Sequence, residues 1–295
     1  MLLSTMTGDL AQTFSHKKAI KIIKEAGFDA FDLTLCDMFI NAKKPFNENC
    51  PFNSDDYLDY AKDLRKYADK IGIICNQAHA PFGSSCGIPE TDEIIFKQIV
   101  RSMEIASIMG AKIIVVHPKQ HLTYAENTEE LFNLNVEFYK SLIPYCEKYN
   151  IKVATENMWQ YNNNSKSIID STCSRAWEFC KYIDTIDSEW IVGCLDIGHV
   201  SLIGADIPEF IKTMGNKRLQ ALHVHDTDFI HDSHTIPFLE KIDFTAVSKA
   251  LGEIDYQGDF TFEVQAIFRK YPKELLPSVA KFLCDVGRYL IEQTK

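Results

Sequence analysis

Short β-branched apolar runs alternate with longer amphipathic segments from one end of the chain to the other. The runs 29–35 (DAFDLTL), 72–79 (GIICNQAH), 112–117 (KIIVVH), 151–156 (IKVATE), 191–196 (IVGCLD), 219–225 (LQALHVH) and 259–263 (DFTFE) predict strands, with a first strand near residues 2–6. Their near-continuous apolar character is that of strands covered on both faces, which belong to a parallel sheet. Between them, Leu58, Ala61, Leu64, Ala68 and Ile71 fall on one face of a helix entered at Asn53-Ser54 and stopped near Gly72. Leu131, Leu134, Phe138, Leu142 and Tyr145 mark a second helix opened by Asn127-Thr128-Glu129-Glu130, and Leu275, Val279, Phe282, Leu283, Val286 and Leu290 a last one. Gly27 and Gly110 stand where two further helices should stop. No Pro/Ser/Gly-rich linker interrupts the alternation, so residues 1–295 are expected to form one α/β domain, a (β/α)8 TIM barrel. A doubly wound open sheet is the alternative, but no Gly-rich phosphate fingerprint follows the first strand.

Composition narrows the class. Apolar residues make up 46% and charged residues 24% of the 295, which suits a soluble globular enzyme with a sizeable core. No apolar run approaches the roughly 20 residues of a membrane span, and the opening MLLSTMTGDLAQTF has no basic flank before a long apolar stretch, so a cytoplasmic protein is expected. The net charge of −10 disfavours nucleic acid as a partner. Nine cysteines, odd in number and never spaced as CxxC, read as reduced thiols.

The chemistry lies where the predicted strands stop. His79, His117, Glu156, Asp196 (with His199 just beyond), His223 (with His225) and Glu263 each end an apolar run, at gaps of 38, 39, 40, 27 and 40 residues. In a parallel barrel that relative position is the C-terminal mouth, where side chains from different strands meet. Carboxylates and imidazoles gathered there repel or titrate one another unless a cation neutralises them, which favours a divalent metal ion, Mn²⁺, Co²⁺, Mg²⁺ or Zn²⁺. After the seventh strand, HDTDFIHDSHTIPF adds His231, Asp232 and His234, in a loop that overlooks the mouth. Any one of these residues alone reads as packing, capping or a solvated loop group; the repetition at six strand ends carries the inference.

At HAP (79–81), HP (117–118), the Glu156 strand end, LDIGH (195–199), LHVHD (222–226) and FEV (262–264) the chain resembles the xylose isomerase-like TIM-barrel superfamily. That superfamily contains sugar-phosphate isomerases and epimerases, ketose 3-epimerases and type IV apurinic endonucleases. The resemblance implies a divalent ion held by Glu156, Asp196, His223 and Glu263, with Glu156 and Glu263 exchanging protons next to a sugar carbonyl through an enediolate. His199 would then contact substrate oxygens. Ketose 3-epimerases usually carry a further Glu and an Arg where Asn162 and Phe229 stand here, so that particular specificity does not transfer.

The nine-ligand, three-zinc pattern of the apurinic endonucleases can also be laid, with a shortened loop, on His79, His117, Glu156, Asp196, His199, His223, Asp232, His234 and Glu263. The acidic charge and the lack of basic recognition loops weigh against that alternative. A noncatalytic sugar-binding barrel is a third, disfavoured by the intact carboxylates. Arg269 and Lys270, expected to open the final helix, are candidates for a sugar phosphate, with Lys119 a candidate for an anion; Phe82, Trp159 and Tyr161 are candidates for packing on a sugar ring. The expected partner is thus a small sugar or sugar phosphate, and an exposed barrel face leaves a homo-oligomer open.

Overall fold

A computed structural model describes residues 1–295. The eight barrel strands are β1 (Leu3–Thr5), β2 (Ala30–Thr34), β3 (Ile74–His79), β4 (Ile113–Val115), β5 (Lys152–Glu156), β8 (Ile191–Asp196), β9 (Leu219–His223) and β10 (Phe260–Phe262). Two more, β6 (Trp159–Asn162) and β7 (Ser167–Asp170), form an antiparallel hairpin after β5. Strands β2-β3-β4-β5-β8-β9 make one parallel sheet and β1 pairs with β10. Single parallel bridges, Met6 to Asp32 and Val224 to Phe262, join the two and close the barrel. All eight sequence-predicted strands are present; the hairpin is not among them, because its two four-residue strands, WQYN and SIID, are short and bury none of their residues.

The helices are α1 (Gly8–Thr13), α2 (His16–Ala26), α3 (Tyr57–Ile71), α4 (Pro89–Met109), α5 (Tyr124–Tyr149), α6 (Ala176–Ile186), α7 (Ile197–Leu202), α8 (Ile207–Arg218), α9 (Phe244–Glu253), α10 (Gln265–Lys270) and α11 (Leu276–Glu292). Gly27 and Gly110 end α2 and α4 in the left-handed region, at φ 102° and 89°, as the sequence leads one to expect. Helix α5 starts at Tyr124, ahead of the expected Asn127, whose backbone is non-helical and marks a kink. Helix α11 buries the expected Leu283 and Leu290 and packs Val279 and Val286 against the core, but Leu275 and Phe282 are exposed and Ala280, Cys284 and Gly287 face inward beside them. Small residues win because the helix lies tightly against β1; a Cβ at Gly287 would sit 2.5 Å from Leu3 Cδ1. No helix is long and apolar enough to cross a membrane.

The main core fills the layer between sheet and helices. A smaller one, Val115, Ala154, Val192, Cys194 and Ala221, lies apart from it. Period-two alternation puts Ala154, Cys194 and Ala221 on the same strand face as Glu156, Asp196 and His223, so these small side chains floor the mouth. Ala154→Leu should therefore cost about 1–3 kcal/mol by overpacking and disturb the polar layer above; urea unfolding would read the loss, and unchanged stability would contradict this packing.

Candidate metal centre at the barrel mouth

Strands β3, β4, β5, β8, β9 and β10 each deliver a side chain, at or just past their C-terminal ends, to one buried cluster. Glu156 Oε1 and Glu263 Oε2 lie 3.0 and 3.1 Å from the same atom, His223 Nδ1. His117 Nε2 lies 2.8 Å from Glu156 Oε2 and 3.0 Å from His79 Nε2. His225 Nε2 lies 3.0 and 3.1 Å from the two oxygens of Asp196. From the loop after β9, Asp232 Oδ2 reaches His234 Nε2 at 3.2 Å and His199 Nε2 at 3.6 Å. Donor atoms thus form overlapping groups, each within 4.8 Å: Glu156/Asp196/His223/Glu263, His79/His117/Glu156, His79/His223/Glu263 and His199/His225/Asp232/His234.

Local sequence aims these groups. His79, His199 and His234 each donate Nδ1–H to a backbone carbonyl, of Ala80 at 2.7 Å, Asn157 at 2.8 Å and Glu263 at 2.9 Å. A carbonyl can only accept, so the tautomer is fixed and each Nε2 lone pair is turned into the mouth. Asn157 grips the Asp196 backbone from both sides, donating Nδ2 to its carbonyl at 2.9 Å and accepting its N–H at 2.8 Å. Asp196 in turn caps α7 by accepting the His199 N–H at 2.7 Å. Gly198 is required by close approach, since a Cβ there would lie 2.0 Å from His225 Cε1. Asp226 pins the following loop by accepting the N–H groups of Thr227, Glu240 and Ile242, and His234 sits on that loop at a strained φ of 43°.

The donor set fits a divalent ion. Imidazole and carboxylate suit the first-row divalent metals and Mg²⁺, and ligands about 2.0–2.1 Å from a tetrahedral ion stand about 3.3 Å apart, close to the spacings here. Asp232 Oδ1 is buried without any hydrogen-bond partner. Charge is otherwise balanced by protons. Burial pushes the Glu156 carboxyl up, but His223 and His117 outweigh it and hold the group well below the usual carboxylate range. Glu263 is likewise held low, burial being outweighed by His223 and His234. Burial works against charge on His199 and His234, yet Asp196 and Asp232 raise His199 well above its ordinary value, and Asp232 and Glu263 raise His234 to about 9.

Other expected residues lie elsewhere. His231 is 75% exposed and pairs with Asp228 at 2.8 Å, outside the cluster. Arg269 and Lys270 close α10 and do not open the last helix, because Pro272 and a 3-10 turn intervene before α11; Arg269 is paired with Asp9 at 2.7 Å. Phe82 packs edge-on against His117 and Trp159 stands at the rim beside His199, while Tyr161 is exposed on the hairpin. Lys119 lies over the Phe138 ring. Sequence reasoning missed Asn157, Asp226 and Asp32, the last buried beneath the cluster with Oδ2 3.9 Å from His223 Nε2. Adjacency to a strand-end ligand was the available signal for Asn157; for Asp226 and Asp32 it was a charged residue in or against an apolar run.

Fold and site together define a (β/α)8 barrel with a cluster of candidate metal ligands at its C-terminal mouth. The chain belongs to the xylose isomerase-like TIM barrel family, which matches residues 20–284. Among curated relatives, MJ1188 of Methanocaldococcus jannaschii is 25% identical over 230 residues, 77% of this chain and 80% of that one. The "Probable endonuclease 4" of Mesomycoplasma hyopneumoniae is 24% identical over 178 residues, 58% of this chain and 59% of that one. Among solved structures, the IOLI protein with a bound zinc atom superposes with a TM-score of 0.76 at 20% identity, covering 99% of both chains. A D-tagatose 3-epimerase-like protein does so at 0.75 and 19%, covering 100% of both. These superpositions show a shared fold.

Two outcomes are expected. Because bound ligands must be deprotonated, adding Zn²⁺ or Mn²⁺ to metal-free protein near pH 7 should release protons, and retention should fall as pH drops; uptake without release, read in weak buffer with an indicator, would contradict the assignment. Gly198→Ala should push His225 aside and lower the metal count per chain by elemental analysis while the protein stays folded; an unchanged count would separate His225 from metal binding.

Proposed function

We propose that the protein is a divalent-metal-dependent sugar isomerase or epimerase that moves a proton next to a sugar carbonyl. The observation that carries this reading is the meeting of two glutamates, Glu156 from β5 and Glu263 from the end of β10, on one imidazole nitrogen of His223 in a buried mouth. A divalent ion held by Glu156, Asp196, His223 and Glu263 would supply Lewis-acid stabilisation of the charge that develops on the sugar's oxygens. The chain does the rest. Both glutamates present carboxylate oxygens in the mouth, so either can take a carbon-bound proton and return it. His199, fixed by Asn157 and Asp196, is placed to hold a substrate oxygen. Phe82 and Trp159 at the rim offer apolar surface to a sugar ring and keep water from the proton in transit. The names of the similar structures, a D-tagatose 3-epimerase-like protein and a zinc-bearing IOLI, support the reading. A cytoplasmic place in carbohydrate metabolism belongs to the same proposal.

A second reading has its own observation. The group His199/His225/Asp232/His234 and the group His79/His117/Glu156 flank the central one, as three ions in a phosphodiesterase site would require. It predicts metal-dependent incision of abasic DNA that is lost in His234→Ala.

For the principal reading, active sugars incubated with metal-loaded protein in heavy water should gain deuterium at the carbon next to the carbonyl. Glu156→Gln and Glu263→Gln should each cut that exchange by about 10²–10⁴-fold without unfolding the chain. Absence of exchange across ketoses, aldoses and their phosphates, together with incision of abasic DNA, would replace this reading with the second.

A further inference from the structure

His223 is oriented opposite to three other histidines of the cluster. His79, His199 and His234 bond backbone carbonyls through Nδ1 and turn Nε2 to the mouth. His223 instead sets Nδ1 between Glu156 and Glu263, while its Nε2 faces Asp32, with Oδ2 3.9 Å away, and has no hydrogen-bond partner. The His79 ring stacks on it at 5.3 Å and 16°, which holds the imidazole in that orientation. Both His223 and Asp32 are fully buried. Asp32 stands on β2 where its register with β3 shifts, between Phe31 and Asp32, an irregularity of the kind that re-aims a side chain. Gln77 on β3 donates Nε2 to Asp32 Oδ2 at 2.8 Å, and Asp32 Oδ1 has no partner.

A neutral imidazole carries a single N–H. With the hydrogen on Nδ1, His223 bonds the two glutamates and Nε2 offers a lone pair, which a carboxylate repels; the 3.9 Å gap to Asp32, too long for a hydrogen bond, fits that tautomer. A metal ligand needs the reverse. Nδ1 must be bare toward the ion, so Nε2 carries the hydrogen, and a buried N–H is costly unless an acceptor meets it. Asp32 is placed to be that acceptor. It is itself short of partners, with Gln77 its one side-chain donor, and a buried carboxyl group is costly in that condition. The Cys194 thiol also neighbours the ring, but sulfur is a weak acceptor. We propose that Asp32, aimed by Gln77, is a positioning residue that takes the Nε2 hydrogen of His223 and so selects the tautomer whose Nδ1 binds a divalent ion. This rests on the reading of the strand-end cluster as a metal centre and adds to it a residue outside the four ligands.

The test is the Zn²⁺ affinity of the full chain, read by competition with a chromophoric chelator, in a double-mutant cycle. Asp32→Asn keeps the shape and weakens the acceptor, and should lower affinity about 10–100-fold. In a His223→Ala background the same change should leave affinity within about twofold, because the residue it acts through is gone. An affinity of Asp32→Asn within about twofold of the parent, or an equal loss with and without His223, would overturn the role while leaving the metal centre standing; the equal loss is what removing a negative charge near the ion would give by itself. A parent chain that takes up no Zn²⁺ would overturn the metal reading and this inference with it. Should Asp32→Asn fail to fold, ¹⁵N NMR of the Zn²⁺-loaded parent labelled at histidine still decides: His223 should carry an exchange-protected hydrogen on Nε2 with Nδ1 on the metal, and the opposite arrangement would contradict the proposal.

Discussion

Everything at the mouth of this barrel is governed by the need to neutralise charge out of reach of water. Four carboxyl groups and six imidazoles lie in overlapping groups whose donor atoms are within 4.8 Å, where two like unit charges repel by about 4 kcal/mol even at an effective dielectric of 20. Such a set is tolerable in two states. Protons can sit on the histidines, which is why His199 and His234 are raised and Glu156 and Glu263 depressed. Cations can take the same positions with the histidines neutral. The carbonyl bonds that fix Nδ1 of His79, His199 and His234 prepare the second state, since each leaves Nε2 facing the other ligands.

The barrel meets this constraint by layering. Along β5, β8 and β9 alternation sets an acid or imidazole at the mouth and a small apolar side chain two residues below it, so the polar layer there rests on Ala154, Cys194 and Ala221. Supporting polar residues then lock the first set: Asn157 ties the end of β5 to that of β8, Asp226 holds the loop that carries Asp232 and His234, and Gly198 leaves space for His225. The chemistry proposed for Glu156 and Glu263 depends on that rigidity, because proton transfer to carbon needs the base held in place.

The strands and the ligands at their ends were legible because each strand is a near-continuous apolar run that stops at an acid or imidazole, and all but one of the gaps between those ends are 38–40 residues. What escaped sequence reading follows other rules. The β6–β7 hairpin has no buried face to imprint a pattern. Helix α11 sets Ala280, Cys284 and Gly287 inward beside its leucines, Gly287 where a Cβ would meet Leu3, and a search for large apolar side chains passes over such small residues. Asp9 and Arg269 lie 260 residues apart and meet only when β10 closes on β1, so nothing local announces their pairing. His231, by contrast, shared a motif with Asp232 and His234 yet points to solvent, since one loop residue can face outward while its neighbours face in.

The central claim is that the strand-end cluster is a metal centre and that its core is Glu156, Asp196, His223 and Glu263. The most direct measurement is anomalous X-ray scattering at the manganese and zinc edges from crystals grown with those ions. The account predicts an anomalous peak among those four side chains, lost in Asp196→Ala with the barrel intact. Crystals showing no peak there at saturating metal, with the histidines and carboxylates hydrogen-bonded to one another, would contradict it.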